Sequence, residues 1–349
     1  MSLPDLFQAG EWLSGTGPES DIVMSTRIRL ARNLRDFPFL TRIDEARKTA
    51  LERRLSQVLQ DEGLGVTHYQ NLEEATPIDR QCLVERHLIS KDHAAGRGDR
   101  GVALGARGAL SVMVNEEDHL RVQVLRSGFQ PDACWRRILE LDRALEERVD
   151  FAFSPEFGYL TACPTNAGTG MRVSVMLHLP ALVMTKQIEK VFQAVNKINL
   201  AVRGFYGEGT QALGDFYQIS NQITLGQSEE DILKAATDHV PQIIKFERNW
   251  REKLLKENRA GLEDRVWRAF GMLERARLIT SEETMDYLSA VRMGVNLGLI
   301  DRLPIGTVNE LFILTQPAHL QKLQGGELET PERDERRADF IRHTLASLN

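Results

Sequence analysis

The chain has 349 residues, enough for two domains, and a composition of 42% hydrophobic and 27% charged residues that is typical of globular proteins. A formal net charge of −6 leaves no excess of positive charge to displace counterions, which argues against direct nucleic-acid binding. No stretch reaches the roughly 18 apolar residues of a membrane span, and the first residues lack signal-peptide features. Three cysteines without metal-type spacing indicate a reducing compartment, so the sequence predicts a cytoplasmic protein without membrane contact.

The first part of the chain predicts a sheet flanked by helices. Residues 21–30 and 110–125 have strand character. In the second stretch apolar and polar residues alternate, so Arg121 is expected to face away from the apolar row. Residues 41–60 and 131–149 have the apolar spacing of amphipathic helices.

The next segment contains a cysteine in an unusual setting. We expect a strand over 151–162, a loop over 164–170 and a helix from about Met171. Arg172 would then lie in the first helical turn, where unpaired backbone N–H groups favour an anion. Most cysteines are small buried hydrophobes. A helix N-terminus and nearby arginines would instead favour the thiolate form of Cys163.

Two further strands are predicted near 199–206 and 216–225, and they flank a loop over 207–215. The three glycines of this loop suit a mobile lid, and the loop also carries Glu208. A glutamate in a loop is usually only solvated. Glu208 by itself therefore indicates no function.

The character of the chain changes near Ser228, after which the pattern is almost wholly helical. Thr280 and Glu283 have the spacing of a capping box before an apolar run. The sequence therefore predicts an α+β fold. A mostly antiparallel sheet with flanking helices would span 1–228, and an all-helical domain would span 229–349.

Arginines in glycine-rich or polar strand ends are the main functional signal. They are Arg27, Arg29, Arg121, Arg172 and Arg203. A guanidinium keeps its charge and presents a rigid fork of donors that matches phosphate oxygens. Several of them in one cleft would hold a polyphosphate for phosphoryl transfer. The P-loop and the protein-kinase motifs are missing from the sequence, which excludes the common phosphotransferase folds.

Two other groups of residues allow a functional and a structural interpretation. In Asn115–Arg121, one carboxylate could orient or deprotonate a nucleophile while Arg121 binds phosphate, or the string could be a solvated acidic turn. His87 could be a core histidine or a nucleotide contact. The residues alone leave these alternatives open.

Four strings carry a resemblance when taken in order. They are Ser25–Arg29, Asn115–Arg121, Cys163–Thr169 and the Arg-Gly to Gly-Glu string of Arg203–Glu208. Together they resemble the phosphagen (guanidino) kinase family over roughly residues 20–228. Members of this family transfer the terminal phosphoryl group of ATP to a guanidino nitrogen.

The resemblance implies roles for particular residues. It implies ATP binding by Ser25, Thr26, Arg27, Ile28, Arg29, His87, Arg121, Arg172, Val173, Ser174, Val175, Met176, Arg203, Gly204, Phe205, Tyr206, Gly207 and Glu208. Glu117 would grip the guanidinium and act as base, Glu208 would be its partner, and Cys163 would contact the guanidinium as a thiolate. Mg²⁺ would be held mainly through ATP, with no protein metal ligand. Metazoan arginine kinases carry an arginine at the position of Tyr206.

The order of domains resembles one branch of the family. Phosphagen kinases carry a helical domain before the Ser-Thr-Arg motif, whereas this chain reaches that motif at Ser25 and has a helical domain after the catalytic part. This order is similar to that of bacterial protein-arginine kinases. Arg333, Asp334, Arg337 and Ala338 match the R-D-x-x-R-A motif of their allosteric phosphoarginine pocket. Taken alone, the string is a charged helix face.

The resemblance implies ATP-dependent phosphorylation of arginine side chains in proteins. It also implies partners: proteins with accessible arginines, a zinc-containing activator, a Clp-type ATPase or protease, a stress-gene repressor and a second copy of the chain. Two alternatives are a kinase of free arginine or another small guanidino compound, and an inactive adaptor that binds phosphoarginine. An open site suits a protein side chain better than a sequestered small molecule.

Overall fold

The computed structural model describes residues 10–204 and 213–348. Its strands are β1 (Val23–Arg32), β2 (Val66–Asn71), β3 (Gly101–Gly105), β4 (Leu110–Val114), β5 (Leu120–Ser127), β6 (Phe153–Ser154), β7 (Gly158–Tyr159), β8 (Met171–His178), β9 (Leu200–Arg203) and β10 (Phe216–Asn221). Its helices are α1 (Glu45–Leu59), α2 (Pro77–Glu85), α3 (Lys91–Ala95), α4 (Pro131–Glu146), α5 (Pro180–Met184), α6 (Ile188–Asn196), α7 (Glu229–Glu257), α8 (Arg259–Arg275), α9 (Ser281–Asn296), α10 (Ile305–Leu314), α11 (Pro317–Gln324) and α12 (Thr330–Ala346). None of these helices is both long and apolar enough to cross a membrane.

Eight of the strands form one sheet in the order β2-β3-β4-β5-β1-β8-β10-β9. Neighbouring strands are antiparallel, with β1 at the centre between β5 and β8. The short strands β6 and β7 form a separate hairpin. The predicted antiparallel sheet followed by helices is confirmed.

Alternation along the central strands separates the two faces of this sheet. Ile28 on β1 lies directly opposite Val173 on β8, and both side chains are fully buried. We call this side the core face. Arg29, the next residue of β1, lies opposite Arg172 on the other side, which we call the cleft face.

Three helices cover the core face. Leu55 of α1, Ile138 of α4 and Ile232 of α7 share one buried cluster with Ile28. Burying a side chain of this size contributes about 1.5–3 kcal/mol. Helix α7 therefore packs on the sheet, although it follows the predicted boundary near residue 228.

The C-terminal helices cover part of the cleft face. Leu125 of β5 and Met176 of β8 lie on this face, because they pair with Arg27 and Ser25 of β1. Both are buried in one cluster with residues of α8, α9, α10 and α12 that includes Phe312. The C-terminal helices thus close one end of the cleft face and leave the other end open.

The helix starts follow from local hydrogen bonding. The capping box predicted at Thr280 is present: its hydroxyl accepts from the Glu283 N–H at 3.1 Å, and the Glu283 carboxylate accepts from the Thr280 N–H at 2.9 Å. Helix α7 begins with the same motif at Ser228 and Asp231. The helices predicted over 41–60 and 131–149 correspond to α1 and α4.

Two predicted elements are wrong. Met171 begins strand β8 rather than a helix, because its apolar residues alternate and pair with β1 on one side and β10 on the other. A spacing of four residues fits two repeats of a strand as well as one helical turn. The strand predicted over 151–162 is reduced to the hairpin of β6 and β7.

Candidate active site

A cleft of about 520 Å³ opens on the cleft face. All five arginines that the sequence singles out line it: Arg27, Arg29, Arg121, Arg172 and Arg203. The same cleft is lined by His87, Glu117 and Cys163. Residues that are up to 176 positions apart in the chain, from Arg27 to Arg203, thus meet in one site.

The sheet register explains why these arginines meet. Residues directly opposite each other in an antiparallel pair point to the same face. Arg29 lies opposite Arg172, and Arg121 lies opposite Ala31, two residues further along β1. On the other side, Arg203 of β9 lies opposite Gln218 of β10. Gln218 in turn accepts a hydrogen bond from Arg27 at 2.5 Å.

The arginine cluster repels itself. Burial, followed by the charges of Arg121, Arg172 and Arg203, lowers the pKa of Arg27 to about 9. Burial and the neighbouring arginines also lower the pKa of Arg29. These guanidiniums stay charged at neutral pH. A polyanion would relieve this repulsion, so the cleft is electrostatically suited to polyphosphate.

One arginine of the cluster has a carboxylate partner in its own chain. Both oxygens of Glu116 accept from Nη1 of Arg121 at 2.9 Å, and Ser90 donates to the same carboxylate at 2.6 Å. Although burial opposes ionisation, the Arg121 charge and these hydrogen bonds lower the pKa of Glu116 to about 2. Glu116 thus anchors Arg121. Because Glu116 and Glu117 are adjacent, the sequence alone does not show that their roles differ.

Glu117 follows in the turn between β4 and β5 and is exposed at the cleft. Partial burial and the charges of Asp118 and Glu116 raise its pKa. Asn166 donates to one of its oxygens at 3.5 Å. A carboxylate with a raised pKa and an open face is suited to accept a proton from a bound cation.

Cys163 stands at the start of a short 3₁₀ turn, Pro164–Asn166, which also lines the cleft. Its Sγ lies 3.0 Å from the hydroxyl of Thr165. The α-helix that the sequence predicts from Met171 is instead strand β8, so the expected α-helix N-terminus next to this loop is not there. Asn166 also accepts from Arg172 at 3.4 Å, so the turn connects Cys163 to the arginine cluster.

A buried carboxylate connects the turn that carries Glu117 to the loop that carries Cys163. Asp118 accepts from the backbone N–H of Ala162 at 2.7 Å and from the amide of Asn33 at 2.6 Å. The Asn33 amide oxygen accepts from the N–H of His119 at 3.0 Å. Asp118 thereby fixes the turn that carries Glu117 relative to the Cys163 loop. A single sequence gives no sign of this role, because the partners are distant in the chain.

His87 lies in the cleft beside the arginines. Burial and the charges of Arg27 and Arg29 lower its pKa to about 3, so its ring is neutral. The ring packs edge-on against Trp12 at 5.5 Å. Its backbone has φ = 58° and accepts from the amide of Gln123 at 2.7 Å. Of the two alternatives, the structure places His87 where it could contact a ligand.

The remaining residues named for ATP binding are divided between the two faces. The side chains of Thr26, Ile28, Val173 and Val175 point to the core face, because they alternate with cleft residues. Ser25, Ser174 and Met176 line a small hollow beside Arg27 and His87. Gly204 is buried at the end of β9. Phe205, Tyr206, Gly207 and Glu208 lie outside the described residues.

The C-terminal motif lies on α12, away from the cleft. Arg337 is 1% exposed and donates to the carbonyls of Thr315 at 2.8 Å and Ile279 at 2.9 Å. It also donates to Asp334 at 2.6 Å. Ala338 is buried next to it, and Arg333 donates to the carbonyl of Leu328 at 2.9 Å.

Another buried carboxylate, Glu85, joins the catalytic part to the C-terminal helices. Glu85, at the end of α2, accepts from the backbone N–H groups of Ala318 and His319 at 2.8 and 3.0 Å. It therefore caps the start of α11. The side chains of Cys82, Glu85 and His319 lie within 4.8 Å of one another. His87 follows Glu85 by two residues, so this contact is close to the cleft in the chain.

Comparison with protein families defines the class. A profile described as the C-terminal catalytic domain of ATP:guanido phosphotransferases matches residues 50–250. A second profile, the C-terminal domain of protein-arginine kinase McsB, matches residues 259–349. The chain belongs to the ATP:guanido phosphotransferase family, and the predicted phosphotransferase class is confirmed.

Individual relatives narrow the class. A protein-arginine kinase from Halothermothrix orenii is 47% identical over 347 residues, covering 99% of both chains. The protein-arginine kinase of Bacillus subtilis is 45% identical over 99% of this chain and 96% of its own. Within the family, the chain is therefore similar to protein-arginine kinases along its whole length.

A solved structure shows the same fold. A duplicated taurocyamine kinase from Schistosoma mansoni, with bound components of a transition-state analogue, matches with a TM-score of 0.61 and 30% identity. The match covers 69% of this chain and 34% of the duplicated one, so this chain spans about a third of that protein. The predicted phosphagen-kinase fold is confirmed.

Proposed function

We propose that the chain transfers the γ-phosphoryl group of ATP to the guanidino group of arginine side chains in proteins. The observation that carries the proposal is one cleft in which five arginines stand beside an open carboxylate, Glu117. Polyphosphate suits the arginines, and a cationic acceptor suits the carboxylate. Relatives similar over the full length, which are protein-arginine kinases, support a protein as acceptor.

The residues of the cleft fit ATP. Arg27 and Arg29 carry lowered pKa values because they lie among other cations, and phosphate oxygens would remove that cost. The neutral ring of His87 adds no further charge. When bound, MgATP supplies the phosphoryl group. Mg²⁺ would be held mainly through phosphate oxygens, as in the sequence-based prediction, and no protein ligand is assigned to it.

Glu117 supplies the base. A guanidinium is a poor nucleophile because it is cationic, so a carboxylate must accept a proton as the N–P bond forms. The raised pKa of Glu117 makes it a stronger base than an ordinary glutamate. Such general-base catalysis contributes roughly 10²–10⁴-fold.

Positioning completes the mechanism. Cys163 and Asn166 line the same cleft as Glu117, and Asn166 donates to Glu117 at 3.5 Å, so a planar guanidinium bound by Glu117 would lie beside this turn. The guanidino nitrogen would then face the phosphate held by Arg172 and its neighbours. Glu208, from the following loop, is proposed as a second carboxylate on the guanidinium. Orientation of this kind contributes about 7–11 kcal/mol in well-aligned systems.

Transfer of label from γ-labelled ATP tests the proposal. With Mg²⁺ present, an arginine-rich protein and free arginine would be offered separately, and the product would be checked for the acid lability of an N–P bond. We expect label on protein arginine and little on the free amino acid. Label chiefly on free arginine would make the chain a kinase of small guanidino compounds. No label on either would favour the adaptor interpretation.

We also propose that Arg333, Asp334, Arg337 and Ala338 belong to an allosteric phosphoarginine site. Arg337 donates to the carbonyl of Thr315, just before α11, and α11 is capped by Glu85 from the catalytic part. A ligand that changed the Asp334–Arg337 pair could act on the cleft through these contacts.

A double variant tests this regulation. Asp334→Ala with Arg337→Ala should keep basal phosphoryl transfer but lose stimulation by phosphoarginine, because the charged pair is removed. Rates with and without phosphoarginine would be measured below the melting temperature of the variant, because loss of Arg337 leaves two buried carbonyls without their donor. Unchanged stimulation would show that the string has a structural role only.

Several partners remain predictions. A zinc-containing activator, a Clp-type ATPase or protease and a stress-gene repressor follow from the family resemblance. Trp267 and Met272, both exposed on α8, are candidates for the contact of a homodimer. A cytoplasmic location is consistent with three free cysteines.

A further inference from the structure

Large apolar side chains are exposed around the Cys163 loop. Among the described residues, nine large hydrophobic side chains are exposed. Four of the nine border this loop: Phe153 (52% exposed), Phe157 (48%), Ile223 (41%) and Leu225 (48%). We call these four the apolar rim. Clustered exposed hydrophobic residues of this kind mark interaction sites more often than single ones do.

The rim is held rigidly on one side. Phe153 packs edge-on against Tyr159 at 5.3 Å across the β6–β7 hairpin. The guanidinium of Arg32 stacks on Tyr159 at 3.5 Å and is itself paired with Asp142. At the hairpin tip, the hydroxyl of Ser154 accepts from the N–H groups of residues 156 and 157. The Phe153 ring is thus connected to the buried core, and the backbone of Phe157 is fixed to the same hairpin.

The two halves of the rim meet under the Cys163 loop. Gly158 of the hairpin packs so closely on Gly168 that an added Cβ would lie 2.5 Å from the Gly168 carbonyl. A Cβ on Gly168 would in turn lie 2.5 Å from the carbonyl of Thr224, the residue before Leu225. The Thr224 hydroxyl donates to the carbonyl of Thr165 at 2.9 Å. Phe157 and Leu225 therefore flank the loop that carries Cys163.

We propose that the apolar rim binds bulky apolar side chains next to the arginine in a polypeptide substrate, an inference that rests on the proposed function. The acidic side chains near the rim support a polypeptide that contains arginine as its ligand. The target guanidinium would be drawn to Glu117, which is bonded to Asn166 of the same loop, so residues next to that arginine would come to lie along the rim. Glu156 adds an acidic side chain at the hairpin tip, which would disfavour acidic neighbours of the arginine.

Peptide kinetics test the rim directly. Two peptides would differ only in the residues flanking one arginine, leucine in one and serine in the other. The wild-type chain should show at least about a 10-fold higher kcat/KM for the leucine-flanked peptide, as hydrophobic pockets commonly discriminate. Phe157→Ser combined with Leu225→Ser should reduce that ratio to near one, mainly through KM of the leucine-flanked peptide. Leu278→Ser, which alters a 68% exposed leucine outside the rim, is the matched control and should keep the ratio.

Each other outcome contradicts the proposal in a distinct way. Equal kcat/KM for the two peptides in the wild type, or an unchanged ratio in the double variant, would overturn the rim while leaving arginine phosphorylation in place. If neither peptide nor any protein were labelled, the proposed function would fail, and the rim with it. A smaller particle mass for the double variant by light scattering, with an unchanged ratio, would make the rim a contact between copies of the chain instead.

Discussion

Arg27 in the cleft and Arg32 in the core have different partners. Arg32 is buried and forms two hydrogen bonds with Asp142, at 3.0 and 2.8 Å. Arg27 is instead positioned by the neutral amide of Gln218, and other arginines surround it. Asp142 thus neutralises Arg32 within the same chain and Glu116 pairs with Arg121, but the cleft as a whole is lined by more arginines than carboxylates. The cleft leaves positive charge in excess, which a polyphosphate would neutralise.

Breaking the internal pair should affect folding most. Arg32→Ala leaves Asp142 buried without its partner and removes the cation that stacks on Tyr159. We expect a loss of about 3–5 kcal/mol in the free energy of unfolding, as for other broken buried pairs. Urea denaturation followed by circular dichroism measures it. A loss below about 1 kcal/mol would show that Asp142 is rehydrated or otherwise satisfied.

Removing a cleft arginine should weaken ATP binding and leave folding stability largely unchanged. Arg29→Ala eliminates a guanidinium whose pKa is lowered by burial and by neighbouring charges, so folding should be unaffected or slightly stabilised. ATP affinity should fall by about 10- to 100-fold, because a charge-assisted hydrogen bond contributes about 1.5–3 kcal/mol. Calorimetric titration with ATP measures the affinity, and urea denaturation measures the folding stability. If folding were lost and affinity kept, Arg29 would be a structural residue.

Acid should weaken the fold through buried neutral histidines. The pKa values of His93 and His119 are lowered from 6.5 to about 4, mainly by burial, and burial also lowers that of His178. The unfolded chain gains these protons below about pH 6.5, whereas the folded chain does not until a lower pH. Stability is therefore lost as the pH falls, by at most about 1.4 kcal/mol per histidine and pH unit.

Unfolding curves between pH 7 and 5 measure this slope, and His178→Gln provides the comparison. The glutamine can still bond Ser289, but it binds no proton in either state. In the variant, the slope of the unfolding free energy against pH should be smaller by an amount that corresponds to at most about one proton. Buried carboxylates with raised pKa values, such as Glu247, take up their protons more readily in the folded chain, so they stabilise the fold as the pH falls. Their effect opposes that of the histidines and sets the lower limit of the pH range in which the slope is measured. An identical slope in the variant would show that His178 titrates normally.

The sequence was informative where a pattern is local. The alternation in β5 predicted that Arg121 leaves the apolar row, and the spacing of Thr280 and Glu283 predicted a helix start that is present. The resemblance to guanidino kinases supplied the correct fold class. Strand β8 was mistaken for a helix because an apolar residue at every second position also occurs at every fourth.

The rest of the site depends on contacts that no local pattern contains. Arg29 meets Arg172 only because β1 and β8 are neighbours in the sheet, 143 residues apart in the chain. Asp118 ties Asn33 to Ala162 across three segments, and Glu116 is distinguished from Glu117 by its bonds to Arg121 and Ser90. Such roles follow from the order of the strands, which a single sequence does not specify.

Glu117→Gln, compared with the unaltered chain, tests most directly the division of the cleft into a phosphate-binding and an acceptor-binding part. We expect ATP affinity within about 2-fold of the wild type, because Glu117 would bind the acceptor guanidinium whereas the arginines would bind the phosphates. Single-turnover phosphoryl transfer should fall by roughly 10²–10⁴-fold, the usual contribution of a general base. Retained transfer, or an equal collapse of ATP binding, would contradict the assignment of Glu117 as the base.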